Sequence, residues 1–146
     1  MGEGNTGTEK TEEISQIGPG SVNGIVFDAG GLIAVDRSDR RVLAIIITAI
    51  KEDARILVPA TALAQVIRNP ATQVRLWRMI QHEQTIVVPL DGAYAQAVGA
   101  LLARTRTSDI ADAHVVICAQ KTDFAVITSD PFDLSRLDPK LRITAV

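Results

Sequence analysis

Two histidines, one cysteine and five aromatic residues are all that this 146-residue chain contains of the side chains most used in metal, redox and stacking sites. Each shortage excludes something. Cys118 has no second cysteine to pair with, so an internal disulfide is ruled out, and His82 and His114 are too few for a Cys/His zinc site. Phe27, Trp77, Tyr94, Phe124 and Phe132 are too sparse for a base-stacking platform of the kind that holds single strands. Apolar runs are short as well. The longest, Val42 to Ile50, is broken by Thr48 and stays well below the roughly 18 residues needed to cross a bilayer. The N-terminus lacks a basic segment followed by an apolar one, so no secretion signal is expected. These absences describe a soluble protein of a reducing, cytoplasmic compartment with no membrane partner.

What the chain does have is apolar mass: 47% of its residues are hydrophobic, enough for one domain to bury a core without crosslinks. Residues 1–23 stand apart. They are rich in Gly, Glu, Thr and Ser with little apolar periodicity, and read as a disordered tail or an expression leader, with Gly18-Pro19-Gly20-Ser21 resembling a cloning scar. The tail carries Glu3, Glu9, Glu12 and Glu13 against Lys10, a balance of −3. Residues 24–146 are therefore at +1 within an overall charge of −2. If Asp28, Asp109, Asp112 and Asp130 gather in one site, the rest of that domain stands at +5, which admits a nucleic-acid partner.

From Gly24 onward, short β-rich runs alternate with helical stretches. Ile25-Val26-Phe27, Ile56-Leu57-Val58, Ile86-Val87-Val88 and Ala125-Val126-Ile127 read as buried strands, and a fifth is expected near Arg142 to Val146. Helices are expected over Arg37–Lys51 with Ser38 or Asp39 as cap, over Thr61–Arg68 and Ala71–Gln81 split at Asn69-Pro70, from Asp91 to about Arg104, from Ser108 or Asp109 to Lys121, and briefly after Pro131. This order predicts a single α/β domain: a mostly parallel sheet of about five strands with helices on both faces. Ligands of such sheets bind beyond the carboxyl ends of the strands.

Asp28 and Asp130 lie at that edge, directly after the first and fourth strands. Asp109 and Asp112 are three apart at a helix start, so they share a face where the helix dipole favours carboxylates. Each has a plainer reading, as a strand terminator, an N-cap or a turn residue. Asp112 resists it, because a charge between Ala111 and Ala113 is costly if buried without a partner. Carboxylates at close range repel one another unless cations neutralise them, and hard oxygen donors suit Mg²⁺ or Mn²⁺. The pattern predicts an acidic metal site.

Three segments carry a family resemblance over about residues 24–146: the opening Gly24-Ile25-Val26-Phe27-Asp28-Ala29-Gly30-Gly31-Leu32-Ile33-Ala34, the centre Thr107-Ser108-Asp109-Ile110-Ala111-Asp112-Ala113-His114, and the close Val126-Ile127-Thr128-Ser129-Asp130-Pro131. In this order and spacing the chain resembles the PIN-domain ribonucleases, and within them the VapC-type toxins of toxin–antitoxin pairs. The resemblance implies a metal-dependent ribonuclease neutralised by a VapB-like antitoxin. Asp28, Asp112 and Asp130 would be metal ligands, Asp109 would ligate or orient water, and Thr128 and Ser129 would support Asp130. One departure matters: where the family usually has a glutamate after Leu-Ala, this chain has Leu63-Ala64-Gln65-Val66, and an amide supplies no charge. The alternative function is a metal-poor domain that binds RNA or a protein without cutting.

The grip on RNA is expected from arginines, above all Arg68, placed three residues after Gln65 on one helix face, with Arg37 and Arg40. His114, two residues after Asp112, faces away and reads as a packing residue, and Cys118 as core. Receiver-type and dehalogenase-type domains also end a strand in aspartate. The second needs an acid at position 30, which is Gly30, and the first needs a lysine near its last strand, where none follows the fourth strand before Lys140. Apolar residues on the early helices (Val42, Ile45, Ile46 and the Leu63 to Trp77 region) predict a homodimer with an antitoxin groove nearby.

Overall fold

A computed structural model describes residues 23–146, so the expected tail, apart from Asn23, lies outside the described residues. Among them five strands alternate with helices: β1 Gly24–Phe27, β2 Arg55–Pro59, β3 Thr85–Val88, β4 Ala125–Thr128 and β5 Ile143–Ala145. All pair in parallel, in the order β3-β2-β1-β4-β5. Strands β2 and β4 are buried apart from their first residues, and β1 is buried at Val26 and Phe27, as apolar strands covered on both faces must be.

The first crossover differs from expectation. The helix expected over Arg37–Lys51 is found as α2 Arg40–Lys51, capped by Asp39, but before it, where none is expected, stands α1 Ala29–Asp36, the two parted by Ser38 in the left-handed region at φ 61°. The Gly30-Gly31 pair lowers intrinsic helix propensity and hides α1 in the sequence. Its cap and its packing make it. Asp28 accepts a hydrogen bond from the Gly31 N–H at 2.7 Å, and a Cβ on Gly31 would stand 2.4 Å from the Ile127 carbonyl oxygen. Only glycine lets the helix start lie directly on β4.

The second crossover holds α3 Ala60–Val66 and α4 Val74–Gln81. Both are shorter than expected. The buried Gln73 stitches the joint: its amide oxygen accepts from the Arg68 and Asn69 N–H groups, and its amide nitrogen donates to the Val66 carbonyl. Then come α5 Gly92–Thr105 capped by Asp91, α6 Ile110–Thr122 capped by Asp109, and α7 Pro131–Leu137. Helix α6 is buried on nearly every side, from Ala111 through Ala119 except for Asp112, and packs against α3, α5, α7 and the sheet. It is a core helix with no polar face, and Asp112 is the one charge in its buried stretch.

The core gathers Val26, Phe27, Leu32, Ile56, Leu57 and Leu76 with the apolar side of α6. Val42, Ile46 and Leu76 belong to it, so these residues of the early helices face inward, leaving Ile33, Ile47 and Val74 as their exposed large apolar side chains. No helix among the described residues is long and apolar enough to cross a membrane.

Candidate acidic site

Strand order reverses at β1. The chain moves from β1 outward to β2 and β3, then returns to place β4 on the other side of β1, and the crevice beyond the carboxyl ends of β1 and β4 is the topological switch point where ligands of open α/β sheets sit. Phe27 and Ile127 are register partners, so Asp28 and Thr128 leave the sheet side by side. Asp28 is only 5% exposed. The Thr128 hydroxyl, fully buried, donates to the Asp28 carboxylate and accepts from the Asp130 N–H at 2.9 Å. One hydroxyl thus ties the two strand-end acids together. Thr128 acts on the Asp28 side chain and the Asp130 backbone, a wider task than the support of Asp130 expected for it. Ser129 lies against Gly30, where an added Cβ would come within 2.2 Å of its Oγ.

Asp109 caps α6 and accepts from the Asp112 N–H at 2.9 Å. Asp112 is half-buried. Burial pushes its carboxyl up to about 6, and the negative charges of Asp109, Asp28, Asp133 and Asp130 add to the rise. Asp28 is raised too, first by burial and then by Asp130, against the hydrogen bonds from Thr128 and Gly31. The four expected acids therefore form one electrostatic group, and Asp133 joins it. Sequence reasoning missed Asp133 because the motif was taken to end at Asp130-Pro131; its position three residues on, in the first turn of α7, is the signal that would have found it.

The remaining expected residues divide. Gln65 is exposed, one turn beyond Thr61 on α3, and makes no hydrogen bond among the described residues. Arg68 is not on a helix face with it, because α3 stops at Val66. The Arg68 guanidinium instead folds back to donate to the carbonyls of Ala64 at 3.1 Å and Ile67 at 2.6 Å, closing the end of α3. Arg37 and Arg40 are exposed where α1 meets α2, and α1 spans about 12 Å from the Asp28 end. His114 is fully buried, as a packing residue should be, yet its Nδ1 meets the Thr61 hydroxyl at 2.7 Å and its ring stands edge-on to Tyr94. Cys118 is buried in the core, which pushes its thiol up to about 12.

The donors at this edge are carboxylate oxygens, and the charged forms of Asp28 and Asp112 are held at a cost by burial and neighbouring negative charge, the chemistry that a divalent cation relieves. Their spacing is looser than their charge. No three His, Cys, Asp or Glu side chains among the described residues stand close enough to hold an ion together.

No protein-family model matches this sequence, and no curated protein matches it. Solved structures do match. VapBC2 from Rickettsia felis, bound to a DNA fragment from its promoter, aligns with a TM-score of 0.64 at 11% identity, covering 83% of this chain and 97% of the matched one. FitAB bound to the IR36 DNA fragment gives 0.56 at 18% identity over 83% and 94%, and FitAcB from Neisseria gonorrhoeae gives 0.52 at 18% over 82% and 95%. Identities this low carry the fold, and by its five-stranded parallel sheet, its strand order and these likenesses the chain has a PIN-like fold.

Proposed function

We propose that the chain is a metal-dependent ribonuclease and acts as a VapC-type toxin restrained by a VapB-like antitoxin. The observation that carries this reading is the carboxylate group at the switch point, where Asp28, Asp109, Asp130 and Asp133 all raise or share the charge burden of a half-buried Asp112. The structures that share its fold are toxin–antitoxin complexes, which supports the partner.

In this reading Asp28, Asp112 and Asp130 hold Mg²⁺ or Mn²⁺, and Asp109 orients water. When bound, such an ion supplies positive charge that activates a water and stabilises the leaving oxygen of a phosphodiester. The Thr128 hydroxyl donates to the Asp28 carboxylate and accepts from the Asp130 backbone N–H, and Gly30 and Gly31 let the start of α1 close against β4 and Ser129. Gln65 contributes a neutral amide at most. The cluster holds one charge fewer than a glutamate there would give, so weak metal affinity and slow turnover are expected.

A second reading, binding without cleavage, draws on Gln65 and on the absence of a closed ligand shell among the described residues. Cleavage of structured RNA by the purified protein with Mg²⁺, Mn²⁺ or EDTA separates the two. The wild type should cut only with metal, Asp28→Asn and Asp112→Asn should lose the activity, and Gln65→Glu should keep or raise it. Equal cutting by wild type and Asp112→Asn, or indifference to EDTA, would remove the nuclease reading. Cutting by Gln65→Glu alone would favour the binding domain.

A further inference from the structure

Beside the carboxylates runs an open cleft of about 290 Å³, lined by Arg106, Ser108, Asp109, Asp112, Asp133 and Arg136 among others. Its two arginines come from different elements. Arg106 follows α5 in the left-handed region at φ 55°, its backbone closing that helix, and Arg136 lies in the last turn of α7. Both are exposed, and neither guanidinium has a hydrogen-bond or ion-pair partner among the described residues. For Arg136 this is unexpected. Asp133 precedes it by three residues, a spacing that normally lets opposite charges meet on a helix. Arg68 donates to carbonyls, Arg41 faces Asp39 at 3.9 Å and Arg142 faces Asp123 at 3.7 Å. Arg37, Arg40, Arg75, Arg78 and Arg104 show no side-chain partner among the described residues either, and Arg106 and Arg136 differ from them in lining this cleft.

Two arginines without side-chain partners among the described residues line one polar cleft, and the planar fork of arginine suits phosphate. The cleft shares Asp109, Asp112 and Asp133 with the acidic group, so an anion held there by the arginines needs the cations those acids would hold beside it. A polyanion satisfies both places at once. We propose that Arg106 and Arg136 form a phosphate subsite that grips the RNA strand one step from the scissile bond. The inference rests on the ribonuclease reading for the word scissile; the phosphate grip itself stands on the cleft.

The test pairs kinetics with binding. For the double variant Arg106→Gln/Arg136→Gln, KM for a short oligouridylate should rise about tenfold or more with kcat little changed, since each charge-assisted contact is worth more than an ordinary hydrogen bond. Anisotropy of a fluorescein-labelled oligouridylate, with Ca²⁺ in place of Mn²⁺, should show weaker binding. The slope of log K against log salt should flatten by about 1.4, or about 0.7 for each lost phosphate contact to a single strand. The double Arg→Lys variant keeps the charges and should recover most of the binding, and Lys140→Gln, on the connection into β5 at the opposite edge of the sheet, should match wild type. If wild type cleaves and the double glutamine variant, folded by circular dichroism, keeps its KM and salt slope, the subsite is overturned and the ribonuclease stands. If wild type cleaves nothing, the binding arm decides: loss of oligouridylate binding in the glutamine variant supports the subsite without the nuclease, and no loss removes it. Loss of polyglutamate binding with oligouridylate binding intact would make the cleft a protein contact and overturn the proposal. Should the double variant fail to fold, the single variants are read by the same criteria.

Discussion

Asp112 makes the metal-free protein more stable in mild acid. Its folded carboxyl titrates near 6, above the ordinary 3.8, so the stabilisation from protonating it is complete below about pH 4 and is lost as pH rises through 6. Asp28, also raised, acts in the same direction. In EDTA the melting temperature should therefore rise from pH 7 to pH 5. Because Asp112 is partly solvated, its share is on the order of 1 kcal/mol, roughly 3 to 6 °C for a domain of this size. Asp112→Asn should melt higher than wild type at pH 7 and lose much of the pH response; an unchanged response would show that Asp112 does not carry it. At the same scale, Gly31→Ala drives a methyl group into the Ile127 carbonyl and should cost about 1 to 3 kcal/mol by chemical denaturation. Gly30→Ala has its closest clash with the Ser129 hydroxyl, which can turn away, and meets the Ser129 backbone nitrogen only at 3.2 Å, so it should cost less.

Helices α3 and α6 are joined by a part-buried polar contact, the Thr61 hydroxyl on His114 Nδ1. Nε2 of that ring has no hydrogen-bond partner, and burial holds the imidazole below its ordinary pKa, so it is neutral at pH 7. Thr61→Val leaves the ring with both nitrogens unpaired and should destabilise the fold by about 1 to 3 kcal/mol. The effect should extend to Gln65→Glu, whose gain in activity depends on α3 being held against α6. An unchanged denaturation midpoint for Thr61→Val would mean that the contact does not bind the two helices. The helix elements also show where local signals sufficed. Asp39, Asp91 and Asp109 each cap the helix that follows, as their positions before apolar periodicity predict. Helix α1 was illegible because its stability comes from lying on β4 and α3, a contact no local window contains.

Across the whole molecule, the dimer expected from the early helices rests on fewer residues than the sequence suggested, since Val42, Ile46 and Leu76 are interior. Ile47, 53% exposed, and Val74, 48% exposed, remain as apolar outward-facing side chains. We propose that the protein self-associates through them. Light scattering at high micromolar concentration should report twice the monomer mass, and Ile47→Glu should lower it; a wild-type monomer that also fails to shift on adding the antitoxin would leave neither partner surface on these helices.

The sequence by itself determined the class of fold and the addresses of the acids. Strands of four or five apolar residues cannot be half-exposed, and alternation with helices then requires a parallel sheet whose carboxyl edge carries Asp28 and Asp130. Composition spoke against a Cys/His zinc site, an internal disulfide and a stacking platform for the same local reason: the side chains are too few. Which acids share a field was decided only in three dimensions. The return of β4 to the side of β1 brings Thr128 beside Asp28, and the packing of α7 on α6 adds Asp133 and leaves Arg136 in the same cleft. Arg68 lies off the helix face expected for it, its guanidinium on the carbonyls that end α3, because α3 ends two residues before it. Periodicity reports which side of an element is apolar, whereas electrostatic coupling depends on distances between elements far apart in the chain, and those follow from strand order and helix packing.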